Sequence, residues 1–306
     1  MNRDHAAQLP PDRSHVATEQ RHAESNALDT LTTQEIVLLL ARDQRRAVES
    51  VEAAAAGIAA FADAAAHSLA LGGRLIYAGA GSSGRLAVLD ASECPPTFRC
   101  LPSQVIGIIA GGDSALRVSS EGREDEFEGI NAEFERIDLN GNDSFLAIAA
   151  GGTTPYALGA LRLAKERNAT TGFLTCAPHA QPSHCDHRIV LASGAEILTG
   201  STRLKAGTAT KIALNAITTA MFVRLGKTYG NLMVDLAATN DKLVDRALRI
   251  YREFFPNDSR EAAHAQLQLA GGLLKLALVM RARNESCEEA ARTLARHHGS
   301  LRAAIG

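Results

Sequence analysis

The chain has 306 residues, with 32 basic and 34 acidic side chains and a formal net charge of −2. This balanced charge gives no electrostatic surface for nucleic acid or an anionic membrane, and both are excluded as expected partners. The length is sufficient for two domains, or for one domain with an appendage, around a sizeable core.

Five cysteines are scattered along the chain, and no two of them form a Cys-x-x-Cys pair. An odd number of isolated cysteines is typical of free thiols in a reducing cytosol. The N-terminus lacks the apolar core of a signal peptide. The Ala-rich stretch from 51 to 71 is interrupted by Glu52, Asp63 and His67, and charge inside a membrane is costly. The sequence therefore predicts a cytoplasmic protein without disulfides or a membrane span.

The chain begins with about twenty polar residues that include Pro10 and Pro11, which predicts a mobile arm. Thr32 to Glu35 are typical of a helix start. From about Asp235 the composition changes to short amphipathic helices. The expected divisions are an N-terminal arm and helix at 1–45, a ligand-binding domain at 46–234 and a helical domain at 235–306.

Between Arg74 and Gly194, short apolar runs alternate with helical segments. The runs are "RLIYAGAG", "VIGIIAGG", "SFLAIAAGG", "TTGFLTCAP" and "HRIVLASG". This alternation predicts an α/β fold with a parallel sheet and helices on both of its faces. Sheets of this type bind ligands at the carboxyl ends of their strands, so we expect the site there.

The stretch "YAGAGSSGRL", from Tyr77 to Leu86, is a strand, a Gly/Ser loop and a helix start. Its glycines let backbone N–H groups approach an anion, and the helix adds a positive dipole end. No lysine precedes the hydroxyl residues as in a nucleotide P-loop, and the match to dinucleotide spacing is weak. Ser82 and Ser83 instead favour a small phosphorylated ligand.

A second loop of this type occurs in "AIAAGGTTPYALGAL", Ala147 to Leu161. An apolar strand is followed by two glycines, two threonines and a helix; the loop residues are Gly151, Gly152, Thr153 and Thr154. The alternative explanation of both loops is a tight turn with an N-cap, because Ser and Thr are favoured at N-caps for backbone reasons alone.

A third stretch opens with Thr199, Gly200, Ser201 and Thr202 and continues into a long helix. Arg203 and Lys205 lie at its start, where the helix dipole disfavours cations unless an anion is near. We therefore expect the Ser201–Lys205 turn to contact the same phosphate; the alternative is a solvated basic turn.

The segment "HAQPSHCDH", from 179 to 187, contains three histidines, a cysteine and an aspartate. It has neither Cys-x-x-Cys nor His-Glu-x-x-His spacing, and Pro182 favours a surface loop. We expect exposed polar residues here and no metal site.

Several motifs carry a resemblance to a known family. They are "TEQR", "GAGSSGRLAVLDASECPPTF", "IAGGDSALRVSSEGREDEFEGI", "GGTTPYALGAL", "EILTGSTRLKAGTATK" and "YGNLMVDLAATNDKL". Together they resemble the N-acetylmuramic acid 6-phosphate etherases, which have the sugar isomerase (SIS) fold. The resemblance extends from about Thr18 to the C-terminus.

The resemblance implies a homodimeric cytoplasmic lyase that removes D-lactate from N-acetylmuramate 6-phosphate and leaves N-acetylglucosamine 6-phosphate, in cell-wall sugar recycling. It implies an SIS-type sheet at 46–234, a small C-terminal helical domain, and neither a metal nor an organic cofactor. The catalytic pair of the family corresponds to Glu93 in "SECPP" and Glu124 in "EGRED". The expected phosphate contacts are Ser82, Ser83, Gly151, Gly152, Thr153, Thr154, Ser201 and Lys205.

The chain departs from the family pattern at two places. Gly151 stands where a serine is usual, which removes one hydroxyl from the second loop. Arg21 and His22 stand where Arg-Asn is usual, which leaves the role of that segment open.

The two carboxyls suit an elimination. Once the sugar ring opens to the aldehyde, the C2 hydrogen is acidic; a base removes it and an acid protonates the departing lactate oxygen. Pro95 and Pro96 predict a helix end near Cys94, which would place Glu93 in a last turn where the dipole favours the protonated acid. Glu124 lies in an acidic run, and most such runs are solvated surface.

Two other functions remain open at this point. One is a non-catalytic sugar-phosphate sensor similar to the glucokinase regulatory protein. The other is an aldose–ketose isomerase, which also applies a carboxylate to an open-chain sugar phosphate. The segment "DASECPP" favours the etherase.

Overall fold

The structure is a computed structural model that describes residues 12–238 and 240–306. Residues 13–31 form short turns, which include 3₁₀ turns at Ala17–Glu19, Ala23–Ser25 and Leu28–Thr30. Three helices follow: α1 (Thr33–Asp43), α2 (Arg45–Ala53) and α3 (Ala55–Ala70). Thr32 and Glu35 form a reciprocal capping box, which confirms the predicted start of α1.

The next segment alternates strands and helices, as the sequence predicted. Its elements are β1 (Leu75–Gly79), α4 (Gly81–Phe98), β2 (Val105–Ile109), α5 (Asn131–Arg136), β3 (Ser144–Ile148), α6 (Pro155–Glu166), β4 (Thr170–Thr175), β5 (His187–Val190) and α7 (Lys205–Arg224), with 3₁₀ turns at Asp113–Leu116 and Glu121–Arg123. The five strands form one sheet in the order β2-β1-β3-β4-β5, and every pair is parallel. The predicted parallel sheet is therefore confirmed.

Helices cover both faces of the sheet. Leu75 and Tyr77 of β1 point into a core made with α3, α4 and α7, whereas Ile76 and Ala78 point into a core made with α5 and α6. Every residue of β1 is buried. Burial on both faces explains why the strands are continuous apolar runs in the sequence.

The C-terminal helices form a separate hydrophobic cluster, which extends from Val234 to Ala304. They are α8 (Asp241–Phe254), α9 (Arg260–Leu269), α10 (Leu274–Arg283), α11 (Cys287–Arg296) and α12 (Leu301–Ile305). Lys275 on α10 links them to the preceding segment, because its Nζ donates to Asp235 and to the carbonyl of Gly226.

Three local expectations are corrected. The arm is packed rather than free from residue 16 onward, since Val16 and Thr18 are buried; residues 1–11, with Pro10 and Pro11, lie outside the described part. Helix α4 does not stop at Cys94 but contains Pro95 and Pro96 and ends at Phe98. Helix α7 begins only at Lys205.

Helix α4 continues past the two prolines although each of them removes an N–H donor and crowds the carbonyl four residues earlier. The last residue, Phe98, stacks on Phe222 of α7 with ring centroids 4.5 Å apart, and this contact holds the final turn against the core. Arg99, at φ 50°, then closes the helix by donating its N–H to the carbonyl of Pro95.

Among the described residues, no single helix has the length and apolar composition needed to cross a membrane. The bent pair formed by Thr33–Ala53 and Ala55–Ala70, at 59°, meets that criterion by length and composition alone.

Candidate active site

The two Gly/hydroxyl loops follow β1 and β3, which are neighbours in the sheet. The chain proceeds from β1 to β2 on one side and returns to β3 on the other, so the strand order reverses between them. In open parallel sheets, the crevice at such a switch point is where ligands bind. The structure therefore brings the predicted loops to one edge of the sheet.

The first loop holds Ser82 and Ser83 inside the first turn of α4. Gly84 lies close against Gly79: a Cβ on Gly84 would come within 2.5 Å of the Gly79 carbonyl oxygen. The residue before α4 is Ala80, and no side chain caps this helix. The two serines are therefore not N-caps, so capping does not account for them, although the strand-to-helix turn is tight.

The second loop holds Gly151 to Thr154 before α6. Gly152 has a φ of 74°, and a Cβ there would come within 2.4 Å of the Ala180 Cβ, so only glycine fits. Thr154 occupies the N-cap position, but its side chain makes no capping hydrogen bond. Thr153 is exposed. The capping explanation fails at this loop as well.

The N-terminal arm covers the second loop. A Cβ on Gly151 would lie 3.8 Å from Thr18 Oγ1 and 3.9 Å from Val16 Cγ1. Thr18 is fully buried, and within the described residues its hydroxyl has no hydrogen-bond partner. A Cβ at position 151 would therefore make only ordinary van der Waals contacts.

Glu124 is positioned by the start of α6. Its backbone carbonyl accepts a 2.9 Å hydrogen bond from the Tyr156 N–H, two residues beyond Thr154. The residue as a whole is exposed. This bond fixes the acidic run beside the second loop, so Glu124 belongs to the same edge of the sheet.

Glu93 lies instead in a groove between α4 and α7. Two adjoining pockets, of about 370 Å³ and 340 Å³, share Leu86 and Lys211. Ser82 lines the first pocket and Glu93 lines the second. Glu124 lines neither of them, so the structure does not bring the two glutamates into one pocket.

The length of α4 makes this separation concrete. Ser83 and Glu93 are ten residues apart on one continuous helix, which is about 15 Å along the axis. A ligand held at Ser83 therefore meets Glu93 of the same chain only if it extends along the groove.

Lys205 does not lie in the groove. Its side chain is fully buried, and Nζ donates to both carboxylate oxygens of Asp43, at 3.0 and 2.9 Å, and to the Ala195 carbonyl. The carboxylate of Glu196 accepts the backbone N–H groups of Lys205 and Ala206. The anions near Lys205 at this helix start are therefore the carboxylates of Asp43 and Glu196, and not a bound phosphate.

His22 belongs to the same buried cluster. Its Nδ1 accepts the backbone N–H of Glu24, so in a neutral imidazole the proton lies on Nε2, which is 3.4 Å from Asp43 Oδ1. Burial raises the pKa of the Glu196 carboxyl, against the two backbone donors and the Lys205 charge. Ser201 lies half-buried in the turn that precedes this cluster.

Three charged residues of the groove were missed by sequence reasoning: Arg85, Asp90 and Lys211. Arg203, which belongs to the turn expected to contact the phosphate, also lines the groove. Asp90 is buried and accepts hydrogen bonds from Tyr77 OH, Asn215 Nδ2 and Thr218 Oγ1, at 3.3, 2.7 and 3.3 Å. Burial raises the pKa of Asp90, while these donors and the charge of Lys211 lower it. The only sequence signal was the spacing of Gly207, Lys211 and Asn215, which puts them on one helix face.

The histidine-rich segment carries ordinary polar contacts. Asp186 pairs with Lys165 at 2.6 Å and accepts from Thr171, and His179 and His184 are exposed. Within residues 12–238 and 240–306, no three His, Cys, Asp or Glu side chains are grouped as metal ligands.

Comparison with known proteins first gives the class. The model of the glucokinase regulatory protein N-terminal SIS domain matches residues 57–165. Among solved structures, the phosphoheptose isomerase of Neisseria gonorrhoeae is 15% identical, covers 62% of this chain and 98% of its own, and superposes with a TM-score of 0.45. The match to the SIS domain model and the five-stranded parallel sheet identify an SIS-type α/β domain, which C-terminal helices follow.

Curated relatives then give the family. A protein of Synechococcus sp. (strain CC9605) named N-acetylmuramic acid 6-phosphate etherase is 50% identical over 96% of this chain and 93% of its own length. A protein of the same name from Gloeobacter violaceus is 48% identical over 96% of both chains. The chain belongs to the N-acetylmuramic acid 6-phosphate etherase family.

Proposed function

We propose that this chain cleaves the D-lactyl ether of N-acetylmuramate 6-phosphate and yields N-acetylglucosamine 6-phosphate and D-lactate. The observation that carries the proposal is the near-full-length identity of about half with relatives that bear this name. The two hydroxyl-lined loops at the switch point support a phosphorylated ligand. The role is recycling of cell-wall amino sugar in the cytoplasm.

The reaction is an elimination followed by hydration. Opening of the sugar ring exposes the aldehyde at C1 and acidifies the C2 hydrogen. A base removes this hydrogen, the C3–O bond breaks and lactate leaves with a proton from an acid. Water then adds at C3 and restores the C2 hydrogen. Each proton transfer contributes roughly 10²–10⁴ in rate.

Glu124 is proposed as the base at C2 and Glu93 as the acid for the lactate oxygen. Glu124 suits the first role because its backbone is fixed at the start of α6, beside Thr153 and Thr154. Glu93 suits the second because it lines a pocket between α4 and α7 that Glu124 does not line, so the acid and the base stay separate. The phosphate is proposed to bind the two loops, with Ser82, Ser83, Thr153 and Thr154 as donors and with the Ser201 turn at the margin.

A homodimer with a shared site accounts for the separation of the glutamates. In it, Glu93 of one subunit completes a site whose loops and Glu124 come from the other. The supporting observations are the roughly 15 Å between Ser83 and Glu93 along α4 and the absence of Glu124 from both groove pockets.

Mixed dimers test this arrangement. Glu93→Gln and Glu124→Gln chains are each inactive, but co-refolding them produces hybrid dimers with one intact site. Recovery of roughly a quarter of the wild-type lactate release is expected when association is random. An inactive mixture whose hybrid dimers are verified by tag pull-down would place both glutamates in one subunit's site.

The activity itself is tested by incubating the purified chain with N-acetylmuramate 6-phosphate and assaying D-lactate. In deuterated water, Glu93→Gln is expected to incorporate deuterium at C2 while releasing little lactate, and Glu124→Gln to do neither. The opposite pattern would exchange the two roles. Sugar-phosphate binding without lactate release would favour a sensor, and aldose–ketose conversion would favour an isomerase; either result refutes the etherase.

A further inference from the structure

The groove between α4 and α7 holds a cation that the proposed reaction has not used. Lys211 is exposed on the α7 face that meets α4. It lines both adjoining pockets, and therefore lies between the Ser82 end and the Glu93 end. Within the described residues it forms neither an ion pair nor a hydrogen bond, unlike Lys205 of the same helix.

The substrate has a second anionic group, besides the phosphate, that a cation could bind. N-Acetylmuramate 6-phosphate carries a phosphate and, at the opposite end, the carboxylate of the lactyl group. This carboxylate is attached to the carbon that bears the ether oxygen. The acid that protonates the ether oxygen therefore lies beside this carboxylate, and once it has given up its proton the two negative charges repel unless a cation lies between them.

The surroundings of Glu93 make this repulsion larger. The pocket of Glu93 is also lined by Asp90, a second carboxyl, so without a cation it would reject an anionic ligand group. Lys211 is the cation lining that pocket, together with Leu86, Leu89 and Leu214. The leucines provide an apolar surface for the lactyl methyl group.

Resting on the proposed function, we propose that Lys211 binds the carboxylate of the lactyl group and so selects substrates whose ether arm is anionic. The pocket of Lys211, Glu93 and Asn215 is then the lactyl subsite, and the hydroxyl loops are the phosphate subsite. Asn215 remains fixed by its 2.7 Å hydrogen bond to Asp90, which keeps the wall of the subsite rigid. The assignment holds whether or not the phosphate loops belong to the same subunit.

The test compares charge on the enzyme with charge on the substrate. Lys211→Met and wild type are assayed with N-acetylmuramate 6-phosphate and with its lactyl amide, which is isosteric but neutral. Loss of a charge-assisted contact lowers kcat/KM for the acid about 10–100-fold, whereas that for the amide changes less than about threefold. Lys211→Arg should recover most of the preference, and Lys242→Met, at an exposed lysine of α8, is the matched control.

Other results would overturn the assignment. Equal loss on the acid and the amide would mean that Lys211 acts through Glu93 rather than on the lactyl group. Weaker inhibition of Lys211→Met by N-acetylglucosamine 6-phosphate, which has the phosphate but no lactyl group, would assign the lysine to the phosphate. Absence of lactate release from the wild-type enzyme would instead refute the proposed function. That result is distinguishable from failure of the Lys211 assignment, which requires an active wild-type enzyme.

Discussion

The first and second turns of α7 each carry a lysine, and the two lysines lie in opposite environments. At Lys205 the ammonium group is fully buried and meets the carboxylate of Asp43 at 2.9 Å. At Lys211, six residues later, the side chain is exposed in the groove and has no ion pair within the described residues. Both lysines occur in the same short motif, "RLKAGTATK".

The difference separates charges that maintain the fold from charges available to a ligand. A buried ammonium group costs several kcal/mol unless it is paired and hydrogen-bonded, and Asp43 and the Ala195 carbonyl meet that need for Lys205. The solvated Lys211 needs no such partner. A ligand anion can therefore pair with Lys211 without breaking any internal contact.

The largest effect on stability is expected when the buried ion pair of Lys205 is broken. Asp43→Ala leaves Lys205 without its counter-ion and should lower the free energy of unfolding by about 3–5 kcal/mol, as measured by urea denaturation. Asp63→Ala removes the exposed pair with Arg224 and is the control, with an expected loss of about 0–1 kcal/mol. If the double variant Asp43→Leu/Lys205→Met is as unstable as Asp43→Ala, loss of charge pairing is not the cause.

A smaller effect, on substrate binding, is expected when a residue of the first loop is changed. Ser83→Ala removes a proposed phosphate donor and should raise KM by roughly 10–100-fold, equivalent to about 1.5–3 kcal/mol, while kcat and thermal stability change little. Thr219→Ala, at an exposed position of α7 outside the groove pockets, serves as the comparison. Comparable turnover of unphosphorylated N-acetylmuramate would contradict phosphate-dependent binding.

The second loop offers a gain rather than a loss. Gly151→Ser adds a Cβ that makes only van der Waals contacts and brings a hydroxyl to the second loop, and it should lower KM by a few fold, about 0.5–1.5 kcal/mol. The free energy of unfolding should change little, because Gly151 does not have a positive φ that a serine would strain. A raised KM together with a lower melting temperature would show that the arm and the loop leave no room for the side chain.

Asp90 lies between the two sides, because it is buried and also lines the groove. Its folded-state pKa is raised above the ordinary 3.8, chiefly by burial, so the stability it contributes is present below 3.8 and is lost as pH rises through the folded value. Asp90→Asn is neutral at every pH, but it replaces one acceptor oxygen by a donor, so the test is the pH trend of the difference in stability. In paired denaturation curves the variant should gain stability relative to wild type as pH rises from 4 to 7. A difference that is constant with pH would exclude titration of Asp90 as its source.

The sheet was predictable because its signals are local. Each of the five apolar runs became a strand, and the Gly/hydroxyl turns after β1 and β3 met at one edge of the sheet, since parallel strands align their carboxyl ends. The end of α4 was not predictable from Pro95 and Pro96 alone. Whether prolines stop a helix or are absorbed in its last turn depends on what the following residues pack against.

The sequence by itself determined the α/β class, the strand positions, the Gly/hydroxyl loops and, through its motifs, the family. These features depend on neighbours within a few residues or on a match that needs no coordinates. Only the tertiary structure decided which lysine of α7 is buried and which faces the groove. That choice depends on Asp43 and Glu196, which hold Lys205 from another helix and from beyond a turn. It also depends on α4, which packs on one face of α7. The sequence of this Ala-rich helix has almost no amphipathic pattern, so it does not indicate which face is buried.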